Sequence, residues 1–143
     1  MKLFGKMTII GIGLLGASLA KACKERGLVG EITGYGRNRE NLEKAQALKI
    51  IDHCPASLAE AVKDADLIVL CTPVTTIVPL IQSMVAEIRS GTLITDVGSV
   101  KEPVVKEAEK VVPEGMFFVG SHPIAGGENS GLEASTANLY EGA

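Results

Sequence analysis

The chain has 143 residues and a net charge of −3, with 46% hydrophobic, 22% charged and only 3% aromatic residues. That length suits one compact domain, and the shortage of aromatic side chains leaves Ile, Leu, Val and Ala to form the core, as in buried parallel sheets. Without a basic excess a nucleic-acid partner is not expected, and no apolar run approaches the roughly 18 residues that cross a bilayer.

The amino terminus up to Met7 is too short and too weakly apolar for a signal peptide. Cys23, Cys54 and Cys71 are odd in number and lack CxxC spacing. They read as reduced thiols of a cytoplasmic protein, with neither a disulfide framework nor a metal site.

In chain order, Met7–Ile10 is a strand candidate that ends in glycines. A helix follows over Leu14–Arg26, with Leu15, Leu19 and Cys23 on one face and Gly27 as its stop. Glu31–Tyr35 reads as a second strand and Asn41–Leu48 as a second helix, and Ser57 can cap a short helix running to about Asp64. Leu67–Cys71, five apolar residues in a row, is the strongest strand signal. A helix over Thr76–Ile88 with Pro79 near its start, a strand at Leu93–Thr95, a helix at Glu102–Val111 and a strand at Phe117–Val119 complete the pattern. The tail from Ala125 to Ala143 reads as a loop with a short helical piece. Strands alternating with helices predict an α/β, Rossmann-type doubly wound sheet, mainly parallel, with helices on both faces. The whole of 1–143 is then one domain.

Gly11-Ile12-Gly13-Leu14-Leu15-Gly16 is GxGxxG at a strand-to-helix junction. Gly11 allows the tight turn, Gly13 lets backbone approach a pyrophosphate, and Gly16 lets the helix pack on the strand. The N–H groups at the helix start, Leu14 and Leu15 included, would face the phosphates. A glycine-rich turn of any α/β domain is the alternative. At the second strand tip stands Tyr35-Gly36-Arg37-Asn38-Arg39, with no carboxylate to hold a ribose 2′-hydroxyl. Arg37 could instead pair with a 2′-phosphate, so the tip leans toward NADP over NAD. The alternative is that Arg37 and Arg39 are solvated and NAD is used. Asn38 at this tip, with Thr72 and Pro73 after the third strand, joins the candidate cofactor residues.

Ligands of open parallel sheets bind beyond the carboxyl ends of the strands. Thr72, Ser99 and His122 all follow such ends. His122 is the candidate base at that edge, since His53 follows the second helix, and imidazole suits proton removal from an alcohol during hydride transfer. A turn-capping histidine before Pro123 is the other possibility. Ser99 could orient His122 or a substrate, or cap the Glu102 helix. Asp96 could serve its own loop. Lys101 and Glu128 are candidate substrate contacts, or solvated charges.

Several segments resemble prephenate and arogenate dehydrogenases: residues 9–19 around the glycine turn, Asp66–Pro73, the run Asp96-Val97-Gly98-Ser99-Val100-Lys101, and His122-Pro123-Ile124-Ala125-Gly126. The likeness extends through Glu128, Ser130-Gly131 and Asn138-Leu139-Tyr140. It implies NAD(P)-dependent oxidative decarboxylation of prephenate to 4-hydroxyphenylpyruvate in tyrosine synthesis. By the same likeness His122 is catalytic, Ser99 positions it and the substrate hydroxyl, and Glu128 lines the substrate pocket. Alternatives are an arogenate dehydrogenase, another β-hydroxyacid dehydrogenase-like reductase, or a non-catalytic nucleotide-sensing domain. Two departures stand out. The tip at 36–39 lacks the acidic residue of many relatives, and the chain stops at Ala143, where relatives continue into a helical dimerisation domain. The resemblance therefore implies a truncated domain, inactive alone, from a homodimeric protein.

Overall fold

A computed structural model of the chain describes residues 3–96, 110 and 117–120. Five parallel strands, β1 (Phe4–Ile10), β2 (Val29–Tyr35), β3 (Leu67–Leu70), β4 (Leu93–Asp96) and β5 (Phe117–Gly120), form one sheet in the order β2-β1-β3-β4-β5. Between them run α1 (Leu14–Glu25), α2 (Arg39–Ala47), α3 (Leu58–Val62) and α4 (Ile77–Met84), the last entered through a 3-10 turn at Val74–Thr76. The predicted helix at 102–111, apart from the helical Lys110, and the tail from 125 lie outside the described residues.

Period-two alternation decides which side chains of the central strand go where. Met7 and Ile9 join Ile32 and Val69 in a cluster beneath Ala17 and Ala20 of α1 and Leu42 and Ala45 of α2. Ile10 joins Ile68, Leu70 and Ile94 under Val62 of α3 and Ile77, Ile81 and Met84 of α4. On that second face Thr8 is fully buried, and its hydroxyl donates to Ala61 O at 2.6 Å, which removes the cost of an unpaired polar group. With a core on each side, the sheet is doubly wound as predicted. The chain leaves β1 toward β2, then returns across it to β3. The direction reverses between β1 and β3, the point at which such folds place ligands.

Three local readings need revision. The deepest stripe of α1 is Gly16, Ala17, Ala20 and Cys23, while Leu15 and Leu19 sit at its margin. A helix launched from a glycine turn lies too near the strands for larger side chains. β1 begins at Phe4, three residues before the apolar pattern, because Phe4 pairs with Val29 and Lys6 with Glu31 of β2, while the Asp66 carboxylate accepts from Gly5 N at 3.1 Å and Lys6 N at 3.0 Å. α4 ends at Met84, four residues early, and Glu87 N and Ile88 N both turn back to Met84 O. One feature was missed: a single parallel bridge, Thr33 with His53, adds a rung outside β2, supported by the buried Ile50 and Ile51.

Candidate functional site

The turn after β1 is built by close approach. Gly11 N donates to Tyr35 O at 2.7 Å, while Cys71 N donates to Ile10 O at 2.8 Å. The ends of β2, β1 and β3 are thereby laced together. Gly11 has φ +97, and a Cβ there would lie 2.5 Å from Cys71 O, so a side chain is excluded both by backbone conformation and by space. A Cβ on Gly16 would collide with Gly11 O and stand 3.0 Å from Ile9 Cγ2. At Gly13 the reverse holds: a Cβ would meet nothing within 4 Å.

That open space belongs to a cleft of about 810 Å³ between the glycine turn, the tip of β2 and the loop after β3. Leu42, Leu58 and Leu80 supply apolar wall. The start of α1 borders this cleft without a capping side chain or an acidic residue in its first turn. α2 and α3 differ: Asn38 Oδ1 accepts from Asn41 N at 3.0 Å and Ser57 Oγ from Glu60 N at 3.2 Å, each with a glutamate in the first turn. The positive end of α1 is therefore left for an anion from outside the helix.

The tip of β2 separates residues that looked alike in the sequence. Arg37 is exposed on the cleft and makes no ion pair or hydrogen bond among the described residues. Arg39 faces elsewhere, donating to Cys54 O at 2.6 Å and Pro55 O at 3.2 Å, with Glu43 Oε1 3.7 Å away. The Asn38 carbonyl is engaged in the cap. Across the cleft, Thr72 and Pro73 line the wall, and Thr76 Oγ1 lies 2.8 Å from Thr72 Oγ1 and 2.6 Å from Pro73 O. Thr76, Leu58 and Leu80 were not singled out in the sequence. The signal for Thr76 was there, a hydroxyl four residues after Thr72 and three after a carbonyl it can reach.

Cys71 borders the cleft, but its thiol is enclosed: burial, and then the neighbouring Asp96 carboxylate, push it up to about 12. It is no nucleophile at neutral pH. Asp96 is itself fully buried at the end of β4, in register with Leu70 of β3 and Gly120 of β5. Ser99, Lys101, His122 and Glu128 lie outside the described residues. All three cysteines are free, and no group of metal-binding side chains occurs among the described residues. Nor is any helix among them long and apolar enough to cross a membrane. A shallower depression of about 510 Å³ lies outside β2, where its charged groups are taken up locally, His53 by Glu31 at 3.3 Å and Arg39 by backbone carbonyls.

Residues 19–143 match the family described as prephenate dehydrogenase, nucleotide-binding domain. The cyclohexadienyl dehydrogenase of Zymomonas mobilis is 34% identical over 141 residues, covering 99% of this chain and 48% of that protein. The prephenate dehydrogenase of Bacillus subtilis is 38% identical over 136 residues, covering 94% of this chain and 37% of its own length. Among solved structures, the prephenate dehydrogenase of Aquifex aeolicus, in complex with hydroxyphenyl propionate and NAD+, superposes with a TM-score of 0.88 at 37% identity, covering 96% of this chain and 48% of that one. The chain thus spans about half or less of the length of these relatives.

Proposed function

This chain belongs to the prephenate dehydrogenase family, matching its nucleotide-binding domain, and on that premise we propose that it binds a nicotinamide dinucleotide in the cleft between β1 and β3 and serves the oxidative decarboxylation of prephenate to 4-hydroxyphenylpyruvate. The observation that carries this reading is the glycine turn. Open space stands at Gly13 where a side chain would be, beside the uncapped start of α1 and in a cleft whose volume is that of a ligand pocket.

Gly11, Gly13, Leu14, Leu15 and Gly16 hold the pyrophosphate through backbone and helix dipole. Thr72 and Pro73 form the opposite wall, and Arg37 and Asn38 form the rim at the adenosine ribose. Arg37, uncommitted among the described residues, favours NADP over NAD by pairing with a 2′-phosphate. Bound there, the cofactor supplies hydride acceptance. His122 takes the proton of the ring hydroxyl as the carbon beneath it gives up hydride. The ring carboxylate leaves as CO2, its bonding pair completes the aromatic ring, and the phenolic oxygen regains a proton. Ser99 orients His122 and the substrate hydroxyl, and Glu128 lines the substrate pocket. In support, β4 and β5 end side by side at Asp96 and Gly120, three and two residues before Ser99 and His122. The reading extends to a cytoplasmic, homodimeric protein in which the rest of the substrate pocket comes from beyond residue 143.

The test is His122→Asn in the full-length protein, assayed with prephenate and with arogenate. Turnover on the preferred substrate should fall by about 10² or more, while dinucleotide affinity holds. Activity within a few-fold of the unaltered protein removes His122 from the mechanism.

A further inference from the structure

The Thr72–Thr76 pair has a definite polarity, and it bears on which part of a ligand the cleft can meet. Thr76 Oγ1 has one proton and two oxygen neighbours, Pro73 O at 2.6 Å and Thr72 Oγ1 at 2.8 Å. A carbonyl can only accept. The shorter contact therefore takes the Thr76 proton, and Thr76 Oγ1 is left to accept the proton of Thr72. Pro73 O accepts Thr76 N as well, at 2.9 Å, which pins the 3-10 turn beneath the pair.

The Thr72 side chain is held from its other branch too. Its methyl lies against the glycine turn, 3.0 Å from where a Cβ on Gly11 would stand. Threonine is stiff about χ1, so a methyl set against Gly11 and a hydroxyl set against Thr76 leave one orientation. With its proton committed to Thr76, Thr72 Oγ1 has only lone pairs to present elsewhere.

Resting on the reading that a dinucleotide occupies this cleft, we infer that Thr76 is a positioning residue that fixes Thr72 as an acceptor, so that Thr72 receives a hydrogen bond from a donor group of the cofactor, a ribose hydroxyl or an amide N–H, and is turned away from its phosphates. A phosphate oxygen has no proton to give, so this wall and the glycine turn recognise different parts of one molecule.

The experiment is calorimetric titration of the full chain with NAD and NADP, using Thr76→Val, Thr76→Ser, Thr72→Val and the double Thr72→Val/Thr76→Val variant, with circular dichroism and thermal unfolding to confirm folding. Thr76→Val is expected to weaken binding about three- to tenfold, the worth of one hydrogen bond. Thr76→Ser should restore it to within about twofold. The double variant should bind no worse than Thr72→Val alone, because Thr76 acts through Thr72. If Thr76→Val takes the fold with it, the serine variant together with Thr72→Val against Thr72→Ser carries the test: loss in the valine and retention in both serines supports the inference. Titration with ADP-ribose identifies the donor. A shared loss assigns it to the adenosine or ribose part, and a loss confined to intact dinucleotides assigns it to the carboxamide. Unchanged affinity in Thr76→Val, or additive losses in the double variant, overturns the inference while the cofactor reading stands. No dinucleotide binding by the unaltered chain overturns both.

Discussion

At the amino end of the sheet one aspartate gathers three strands. Asp66 accepts from Gly5 N and Lys6 N of β1 and pairs with Arg89, while its own N–H bonds to Lys6 O and its carbonyl accepts Leu93 N at the start of β4. Close by, the buried Thr92 hydroxyl donates to Ala65 O at 2.9 Å. The carboxyl end of the same strands is laced by backbone, through Gly11, Tyr35, Ile10 and Cys71, with the Thr72 methyl against the turn and open space at Gly13. Charge and side-chain bonds close one end, and glycines keep the other open. In a sheet of this kind, stability can be concentrated where no ligand enters and access preserved where one must.

The sharpest challenge to that division is Gly16, which lies at the open end yet is packed like core. Gly16→Ala should cost about 1–3 kcal/mol through overpacking against Gly11 O and Ile9, and should also weaken dinucleotide binding by displacing the turn. Urea unfolding and calorimetry on one sample measure both; a change in binding with stability untouched would separate the two roles. Asp66→Ala tests the closed end. It should lose about 1–3 kcal/mol, since two backbone donors and Arg89 lose a charged partner, with dinucleotide affinity within about twofold. An equal loss of affinity would mean that the ends are mechanically coupled.

Arg37→Ala acts at the open end alone. It should weaken NADP about tenfold, leave NAD nearly unchanged and leave the unfolding midpoint in place. Equal losses for both cofactors would refute a 2′-phosphate contact. The smallest effect is expected at Asp52, away from the cleft. Burial raises its carboxyl, but the Lys24 ammonium at 2.7 Å, the Ile32 N–H at 2.8 Å and the charges of Lys24 and His53 outweigh it, so the group sits below its ordinary value of 3.8. The folded state thus holds this proton less tightly than the unfolded chain. Its stabilisation is complete above the ordinary value and disappears as pH falls through the lower folded one. For a pair this exposed the amount is under about 1 kcal/mol. Asp52→Asn should lower stability by that much near neutrality and leave it nearly unchanged at the acid end, so that the acid limb of a stability–pH curve flattens.

The glycine turn and the alternation of strands with helices were legible in the sequence because both follow from local pattern. Gly11, Gly13 and Gly16 mark a junction by spacing, and Leu67–Leu70 marks a strand by unbroken apolarity. What stayed hidden depends on partners distant in the chain. Nothing near Phe4 announces a strand, since it pairs with Val29 of β2 and the next two N–H groups go to Asp66, some sixty residues away. Arg37 and Arg39 are alike in sequence, and only the return of Cys54 and Pro55 past α2 draws Arg39 aside. Ser99 and His122 belong to local motifs and lie outside the described residues.

The bridge between Thr33 and His53 has a consequence for how copies of this molecule meet. Sheet margins invite another chain to dock by strand addition, the first step of filament growth. Here the margin beyond β2 closes in one rung, flanked by the Glu31–His53 pair. An arriving strand would find a row too short to register against and would have to strip water from those polar groups to lie flat. The sheet is thereby discouraged from growing outward on that side.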